Sequence, residues 1–200
     1  GWSTSDRAVV LWSPDSKKIA TFQQDQRKVS DMYLVSVVVG PPQLRAWKYP
    51  LPGDSVVTMI ERVVIDVPSA TVTRLKMAPD QHRSTLGDNI SMNDMKFSPN
   101  GSELAFASVS RDHKQVWVRL ANTTTGAVKE VMQETSPTQF ESRSGWRVWW
   151  ATREILWYSQ REDWARLCLY NLDNGQLKRT ATNCACNVSA ILCSAASFGA

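Results

Sequence analysis

The most informative segment of this 200-residue sequence is Leu11-Trp12-Ser13-Pro14-Asp15-Ser16-Lys17-Lys18-Ile19-Ala20-Thr21-Phe22. Apolar residues precede the Ser-Pro, and further apolar residues follow the lysine pair. This composition favours two strands, one on each side of the turn. Pro14 fixes φ at the second turn position, and Asp15 and Ser16 suit a turn because their side chains bind local backbone. The segment therefore predicts a β-hairpin. Because a lone hairpin cannot bury its apolar faces, it must belong to a larger sheet.

The hairpin pattern recurs twice along the chain. The second copy is Met95-Lys96-Phe97-Ser98-Pro99-Asn100-Gly101-Ser102-Glu103-Leu104-Ala105-Phe106, in which Phe97 replaces Trp12. A third copy, Val148–Tyr158, keeps both apolar strands but lacks the Ser-Pro. Internal repetition of this kind indicates a repeat architecture.

Each copy opens a unit of strands separated by turn residues, and no segment has a helical period. The predicted strands are Met95–Ser98, Glu103–Val109, Gln115–Ala121 and Ala127–Met132 in the second unit, and Arg147–Trp150, Glu154–Ser159, Arg166–Leu172 and Gln176–Thr182 in the third. Four antiparallel strands in about 40–50 residues are typical of a β-propeller blade. We therefore predict an all-β fold, a partial β-propeller of about three four-stranded antiparallel blades.

The first unit is longer than the other two. Its predicted strands are the Val9–Phe22 hairpin, Met32–Val39, Leu44–Tyr49, Val56–Val67 and Ala70–Met77, followed by a polar connection at 78–91. Either residues 30–55 are an insertion and 60–77 form the outer hairpin, or 32–49 form the outer hairpin and 56–77 are extra. We favour the insertion, because Glu61–Asp66 matches Ala165–Tyr170 in pattern.

The units divide the chain into four parts. These are 1–91 (first blade, inserted segment and connection), 92–143 (second blade and connection), 144–183 (third blade) and 184–200 (the start of a fourth blade or an aberrant tail). A propeller needs about 4–8 blades to close, and the sequence begins without Met. We therefore expect a fragment of a longer propeller.

The composition narrows the classes of function. Apolar residues make up 42% of the chain, which supports a packed core and argues against disorder. The net charge of +4 comes from basic residues mixed with acidic ones, so we expect no nucleic-acid partner. The sequence has no run long enough to span a membrane as a helix and no signal peptide.

The four cysteines fall into two groups. Cys168 lies in an apolar strand, where we expect a buried thiol. Cys184, Cys186 and Cys193 cluster near the C-terminus and could bind a metal or form a disulfide. Because no fourth ligand lies nearby, we predict no metal and no cofactor.

A longer run of residues carries a family resemblance. Ser5-Asp6-Arg7 leads into the first hairpin, and Arg27-Lys28-Val29, Met32-Tyr33-Leu34-Val35 and Trp47-Lys48-Tyr49-Pro50-Leu51-Pro52-Gly53-Asp54 follow it. With Ser110–Lys114 and Leu167–Leu177, this pattern resembles the N-terminal propeller of bacterial dipeptidyl-peptidase-IV-like serine peptidases, in the prolyl oligopeptidase family. The resemblance covers roughly residues 5–192.

The resemblance implies a parent protein with more than a propeller. Family members pair the propeller with a C-terminal α/β-hydrolase domain that carries a Ser-Asp-His triad, and they release dipeptides from peptide N-termini. The implied partners are that catalytic domain and a peptide substrate. The implied location is periplasmic or secreted, and the resemblance also allows a homodimeric parent.

The catalytic machinery of that family is not in this sequence. It contains no G-x-S-x-G, and its only histidines are His82 and His113. Members of the family also hold the substrate amine with a pair of glutamates that precede a W-S-P-D hairpin. In this sequence the only acidic residue among residues 1–10 is Asp6. The pair either lies upstream or is absent from this branch, so no catalytic residue is assigned.

Charged loops follow the second strand of every unit. In a propeller these loops share one rim with the connections between blades, so we expect them around one opening. They are either solvated turns or a rim that contacts substrate or the catalytic domain. The candidate rim residues are Asp25, Arg27, Lys28, Asp31, Arg111, Asp112, His113, Arg161, Glu162 and Asp163.

Within that rim two features have specific chemistry. The adjacent carboxylates of Glu162 and Asp163 suit an ammonium group, and His113 could titrate near neutral pH. Five tryptophans of the third unit could stack on a ligand, but we expect them to pack between blades. They are Trp146, Trp149, Trp150, Trp157 and Trp164.

Two hypotheses for function result. The first is the non-catalytic propeller portion of a dipeptidyl-peptidase-IV-like serine exopeptidase, which gates and docks peptide substrate for an α/β-hydrolase domain. The alternative is a fragment of a periplasmic protein-interaction propeller with no peptidase domain.

The first hypothesis predicts that this chain alone does not hydrolyse a dipeptidyl chromogenic substrate, because it lacks a nucleophile elbow and a complete triad. The measurement is release of the chromophore by the purified chain. Turnover that a serine-reactive fluorophosphonate abolishes would contradict the prediction.

Overall fold

The structure, a computed structural model, describes residues 9–81, 94–140 and 146–188. Within these ranges the chain forms fifteen strands and no helix. The strands are β1 (Leu11–Trp12), β2 (Lys18–Asp25), β3 (Asp31–Ser36), β4 (Gln43–Lys48), β5 (Met59–Asp66), β6 (Thr71–Arg74), β7 (Asp80–Gln81), β8 (Met95–Phe97), β9 (Glu103–Val109), β10 (Gln115–Asn122), β11 (Val128–Thr135), β12 (Arg147–Trp149), β13 (Glu154–Ser159), β14 (Arg166–Asn171) and β15 (Leu177–Thr180). The all-β prediction is confirmed.

The strands assemble into three antiparallel sheets with the same order. Blade 1 has the order β1-β2-β5-β6, blade 2 runs from β8 to β11, and blade 3 runs from β12 to β15. In blade 1 the short β7 also pairs with β5. Meandering four-stranded sheets that pack on one another are the blades of a propeller, so the chain is a partial β-propeller, as predicted.

The insertion predicted in the first unit is also confirmed. β2 pairs directly with β5 over eight residues, from Lys18↔Asp66 to Asp25↔Met59. The intervening β3 and β4 form a separate two-stranded sheet. The alternative, in which 32–49 forms the outer hairpin, is therefore wrong. The unit boundaries 1–91, 92–143, 144–183 and 184–200 stay predictions.

Both faces of β9, the second strand of blade 2, are buried because this blade lies between the other two. Residues of β9 alternate between two apolar clusters. Leu104 and Phe106 join the cluster with Ala20 and Val64 of blade 1. Their neighbours Ala105, Ala107 and Val109 join the cluster with residues of blade 3, which are Ile155, Trp157, Cys168, Tyr170 and Leu172. We call these two clusters the first and second seams.

The Ser-Pro turn is built identically in its two full copies. The Ser13 hydroxyl donates to Asp15 Oδ1 at 2.6 Å and accepts from the Lys18 amide at 2.8 Å. In the second copy the Ser98 hydroxyl donates to Asn100 Oδ1 at 2.9 Å and accepts from the amide of Glu103, also at 2.9 Å. Both serines are buried, so the motif supplies internal hydrogen bonds that a buried turn requires.

Several strand boundaries differ from prediction, and three of the differences change which residues are exposed or buried. The strand predicted at Met32–Val39 ends at Ser36, because Val37–Val39 extend into solvent before Gly40, whose φ is +125°. The strand predicted at Val56–Val67 begins only at Met59. The fourth strand of blade 2, predicted to end at Met132, continues to Thr135 and so carries Glu134 into the second seam.

The first residues of the polar connection predicted at 78–91 take part in the packing between blades. Asp80 belongs to β7 and is an ion-pair partner rather than a solvated loop residue. It accepts from Arg62 Nε at 3.0 Å and from the Ser108 hydroxyl at 2.6 Å. The guanidinium of Arg62, itself buried, also donates to Asp94 Oδ2 at 2.9 Å and to the Ala107 carbonyl at 3.2 Å. This cluster ties blade 1 to blade 2.

Glycine turns make a second kind of contact between blades. Gly126 and Gly175 occupy the same turn, between the third and fourth strands of blades 2 and 3, with φ of +70° and +68°. A Cβ on Gly126 would lie 2.4 Å from the Arg74 carbonyl of blade 1, and one on Gly175 would lie 1.8 Å from the Val131 carbonyl of blade 2. Each turn therefore abuts the outer strand of the preceding blade.

We predict that Arg62→Met lowers the free energy of unfolding by about 3–5 kcal/mol, because it leaves the buried carboxylate of Asp94 without its cation. Asp80 also loses one ion pair but keeps the one with Arg119, at 3.5 Å. Urea denaturation of the purified chain measures the change. The matched control is Arg74→Met, which breaks an exposed ion pair with Glu61 at 3.4 Å and should cost less than about 1 kcal/mol. Equal losses for the two variants would contradict the prediction.

We also predict that Gly175→Ala destabilises the chain more than Gly53→Ala. Both glycines have positive φ, so both variants incur the left-handed penalty of about 1–2 kcal/mol. Only Gly175 faces a neighbouring carbonyl, whereas nothing lies within 4 Å of the Cβ position at Gly53. The extra overpacking cost should be about 1–3 kcal/mol, measured as the difference between the two unfolding free energies.

Candidate functional site

The charged loops occupy corresponding places in the three blades. Each follows the second strand of its sheet, after β2, β9 and β13, at the end opposite the Ser-Pro turns. Eight of the ten candidate residues lie in these loops, whereas Asp25 ends β2 and Asp31 begins β3. The loops start at equivalent places in the three blades, although their surroundings differ.

The third loop, between β13 and β14, borders an open cleft of about 590 Å³. One wall comes from the chain that leaves β11, and the other from the β13–β14 loop and the segment after β15. Glu162 and Asp163 line it, and they are the two members of the predicted rim that do so. The other lining residues are Ser136, Thr138, Gln139, Tyr158, Gln160, Ala165, Asn187 and Val188. Hydroxyl, amide and carboxylate groups dominate, which suits a polar ligand.

Behind the cleft lies a buried carboxylate that the sequence did not single out. Glu134 of β11 accepts from Trp157 Nε1 at 3.1 Å and from the Gln160 amide at 2.6 Å. Arg161 Nη2 lies 3.7 Å from Glu134 Oε2, and its guanidinium stacks 5.4 Å from the Tyr170 ring centroid. Glu134 thus fixes the start of the third loop and contributes to the position of Arg161.

Burial shifts the titration of two groups under this loop. It raises the pKa of Tyr170 to about 12 and raises the pKa of the Cys168 thiol. Both stay protonated near neutral pH. As predicted, Cys168 is a buried thiol.

The acidic pair itself is partly engaged. Glu162 forms an ion pair with Arg166 at 3.3 Å, and its side chain remains 55% exposed. Asp163 is exposed at the mouth of the same cleft. A ligand cation can therefore approach both carboxylates.

In the first loop the candidate residues pair locally. Arg27 donates to Asp25 at 2.6 and 3.0 Å, and this contact holds the pKa of Asp25 at about 2. Asp31 begins β3 and forms an ion pair with Lys48 of β4 at 3.2 Å. Lys28 is exposed.

The second loop braces the insertion. Arg111 donates to the carbonyls of Asp54 and Leu51 at 2.5 and 3.0 Å, which secures the segment after β4. Asp112 accepts from the Ser110 hydroxyl and the Lys114 amide, and these bonds lower its pKa. His113 is an exposed turn residue with φ of 57°. This loop has a supporting role for the hairpin.

The β3–β4 hairpin itself is a projecting element. Its strand register places Tyr33, Val35, Leu44 and Ala46 on one face, and all four are exposed. The tip continues the apolar surface with Val37–Val39. An isolated hairpin is marginal in water, so Arg111 and the Asp31–Lys48 pair at its base contribute to its order.

The tryptophans divide into two groups. Trp146 and Trp157 are buried in the second seam with their ring centroids 6.1 Å apart, and Trp150 packs against it, which confirms the packing prediction for these three. Trp149 is half-buried. Trp164, in the loop between β13 and β14, is 39% exposed, so the packing prediction is wrong there.

Cys184 and Cys186 form a disulfide, and Cys193 lies outside the described residues. Among residues 9–81, 94–140 and 146–188, no three His, Cys, Asp or Glu side chains are grouped to hold a metal. Over the same ranges no helix is long and apolar enough to cross a membrane.

Comparison with known protein families gives one match. The family described as the dipeptidyl peptidase IV (DPP IV) N-terminal region matches residues 5–197. No curated protein matches the chain.

Solved structures similar to this fold include two with TM-scores above 0.6. Dipeptidyl peptidase 4 from Porphyromonas gingivalis has a TM-score of 0.73 at 17% identity, over 91% of this chain and 25% of that one. A candidate dipeptidyl aminopeptidase IV from Bacteroides ovatus has a TM-score of 0.67 at 18% identity, over 83% and 23%. The chain spans about a quarter of the length of these structures.

Proposed function

The chain belongs to the family of dipeptidyl peptidase IV N-terminal regions, and from that premise we propose that it is the non-catalytic propeller portion of a serine exopeptidase. Its role is to gate and dock peptide substrate for an α/β-hydrolase domain of the parent protein. The parent releases dipeptides from peptide N-termini. The family match favours this function over an interaction propeller without a peptidase domain.

The observation that carries the docking role is the cleft beside blade 3. A free peptide N-terminus is an ammonium with three N–H donors, and the next groups along it are amides. Glu162 and Asp163 offer carboxylates for the ammonium, while Gln139, Gln160 and Asn187 offer amides for the peptide backbone. Arg161, which lies 3.7 Å from the buried Glu134, belongs to the β13–β14 loop that borders this cleft.

The remaining parts of the proposal concern the parent. Its partners are the catalytic domain in the same chain and the peptide substrate, and it acts in the periplasm or after secretion as a homodimer. Family membership supports the catalytic domain as a partner and the location outside the cytoplasm.

We predict that trialanine, with a free amine, binds the cleft and that N-acetyl-trialanine does not. The measurement is a ¹⁵N-resolved NMR titration of the purified chain, with shifts expected at the amides of Gln160 and Ala165. The double variant Glu162→Gln/Asp163→Asn should weaken binding roughly tenfold, because it removes the charge-assisted hydrogen bonds.

The matched control for that variant is Asp66→Asn. Asp66 ends β5 of blade 1, where it accepts from the amide and the hydroxyl of Ser69, and it does not line the cleft. Its substitution therefore removes a carboxylate without altering the cleft. It should leave the affinity for trialanine unchanged. Equal binding of the acetylated peptide, or equal weakening by the control, would contradict the docking proposal.

A further inference from the structure

The chain after β15 forms a strap along blade 3. This strap, residues 181–188, runs back beside the start of β14. The Ala181 amide donates to the Leu167 carbonyl at 2.7 Å, and Thr182 Oγ1 accepts from the Leu167 amide at 3.1 Å. The strap thus continues past the last strand as an edge held by individual hydrogen bonds.

The centre of the strap has the symmetric sequence Asn183-Cys184-Ala185-Cys186-Asn187. The two asparagines are its anchors. Asn183 Oδ1 accepts from Arg166 Nη1 at 3.2 Å, and Asn187 Oδ1 accepts from the Ala165 amide at 2.8 Å. The disulfide lies between these anchors and sets how far apart they are.

The second anchor forms part of the cleft. The Val188 amide donates to the Ala165 carbonyl at 3.0 Å, so Asn187 and Val188 together clamp Ala165. Both residues also line the cleft. Any change that releases them opens one wall.

The disulfide is placed so that an external thiol can reach it. Cys184 and Cys186 are both exposed, in contrast to Cys168, which is buried. The bond closes a loop of only three residues, which gives little of the chain-entropy stabilisation that long loops provide. Exposed disulfides of this kind are the exchangeable ones.

Opening the bond would change the length of the strap. The Cα atoms of the two cysteines are 5.2 Å apart, whereas two residues of extended chain span about 7 Å. Reduction therefore lets the Asn183 and Asn187 anchors separate, and the anchor held by fewer strand contacts, at Ala165, is released first.

We propose that Cys184–Cys186 is a thiol–disulfide exchange site whose redox state controls the strap wall of the cleft. The thiolate of an external dithiol attacks one sulfur, forms a mixed disulfide and expels the other cysteine as a thiolate, which takes up a proton. The second thiolate of the dithiol then releases the first cysteine. Two electrons and two protons pass to the protein, and the dithiol becomes a cyclic disulfide. The site goes beyond peptide docking and does not depend on which ligand the cleft takes.

The test is hydrogen exchange of the full chain, before and after dithiothreitol, in a Cys193→Ser background that leaves buried Cys168 as the other thiol. Amides of Ala165 and Val188 should exchange roughly tenfold faster or more after reduction. Amides of β9 and β10 should not change, and the untreated chain should have the intact-mass deficit of one disulfide.

Two variants separate the redox effect from a simple loss of contacts. Cys184→Ser/Cys186→Ser should exchange rapidly at Ala165 with or without dithiothreitol. Asn187→Ala should do the same at Ala165 while its disulfide still forms. Unchanged exchange at Ala165 and Val188 after reduction, loss of protection throughout β9 and β10, or absence of the mass deficit would each overturn the proposal. Because no peptide is present, failure here is distinct from failure of the docking function.

Discussion

The buried guanidinium of Arg62 fixes how the first two blades meet. Apolar seams tolerate sliding, because one hydrocarbon surface packs against another in many registers. A planar guanidinium whose N–H groups donate to two carboxylates does not tolerate sliding, because each of its hydrogen bonds is directional. The two carboxylates come from Asp80 and Asp94, on either side of the 82–93 connection. One side chain therefore secures both ends of the link between the blades.

The seams, rather than the turns, limited what could be predicted from the sequence. The repeat of the Ser-Pro hairpin was sufficient for the fold class and the strand order, and the match of Glu61–Asp66 with Ala165–Tyr170 was sufficient for the insertion. Both are patterns of turn chemistry and alternation, which are local properties. Asp80 and Glu134 were missed because a charged residue in a polar stretch or at a strand end predicts solvent. Their burial depends on partners 18 and 23 residues away, Arg62 and Trp157, and such pairings leave no local pattern.

The same limit applies to the candidate site. Sequence equivalence placed ten charged residues on one rim, and the structure gives them three different environments. Asp25 and Arg27 neutralise each other, Arg111 braces an inserted hairpin, and Glu162 with Asp163 borders a cleft. Equivalent positions in repeats share backbone geometry, but the side-chain partners come from insertions and connections that differ between units. The insertions and connections therefore determine which rim residues are free to bind a ligand.

The glycine turns at 126 and 175 have a consequence for the size of the assembly. Each contact joins unlike surfaces, with a turn on one blade and an outer-strand carbonyl on its predecessor. A head-to-tail contact of this type can be repeated indefinitely, and only the rotation between successive units decides whether the series closes into a ring. The number of blades in a closed ring is therefore set by the angle between neighbouring blades. A substitution that tilts one seam by a few degrees would alter closure of the whole ring, even where every local contact survives.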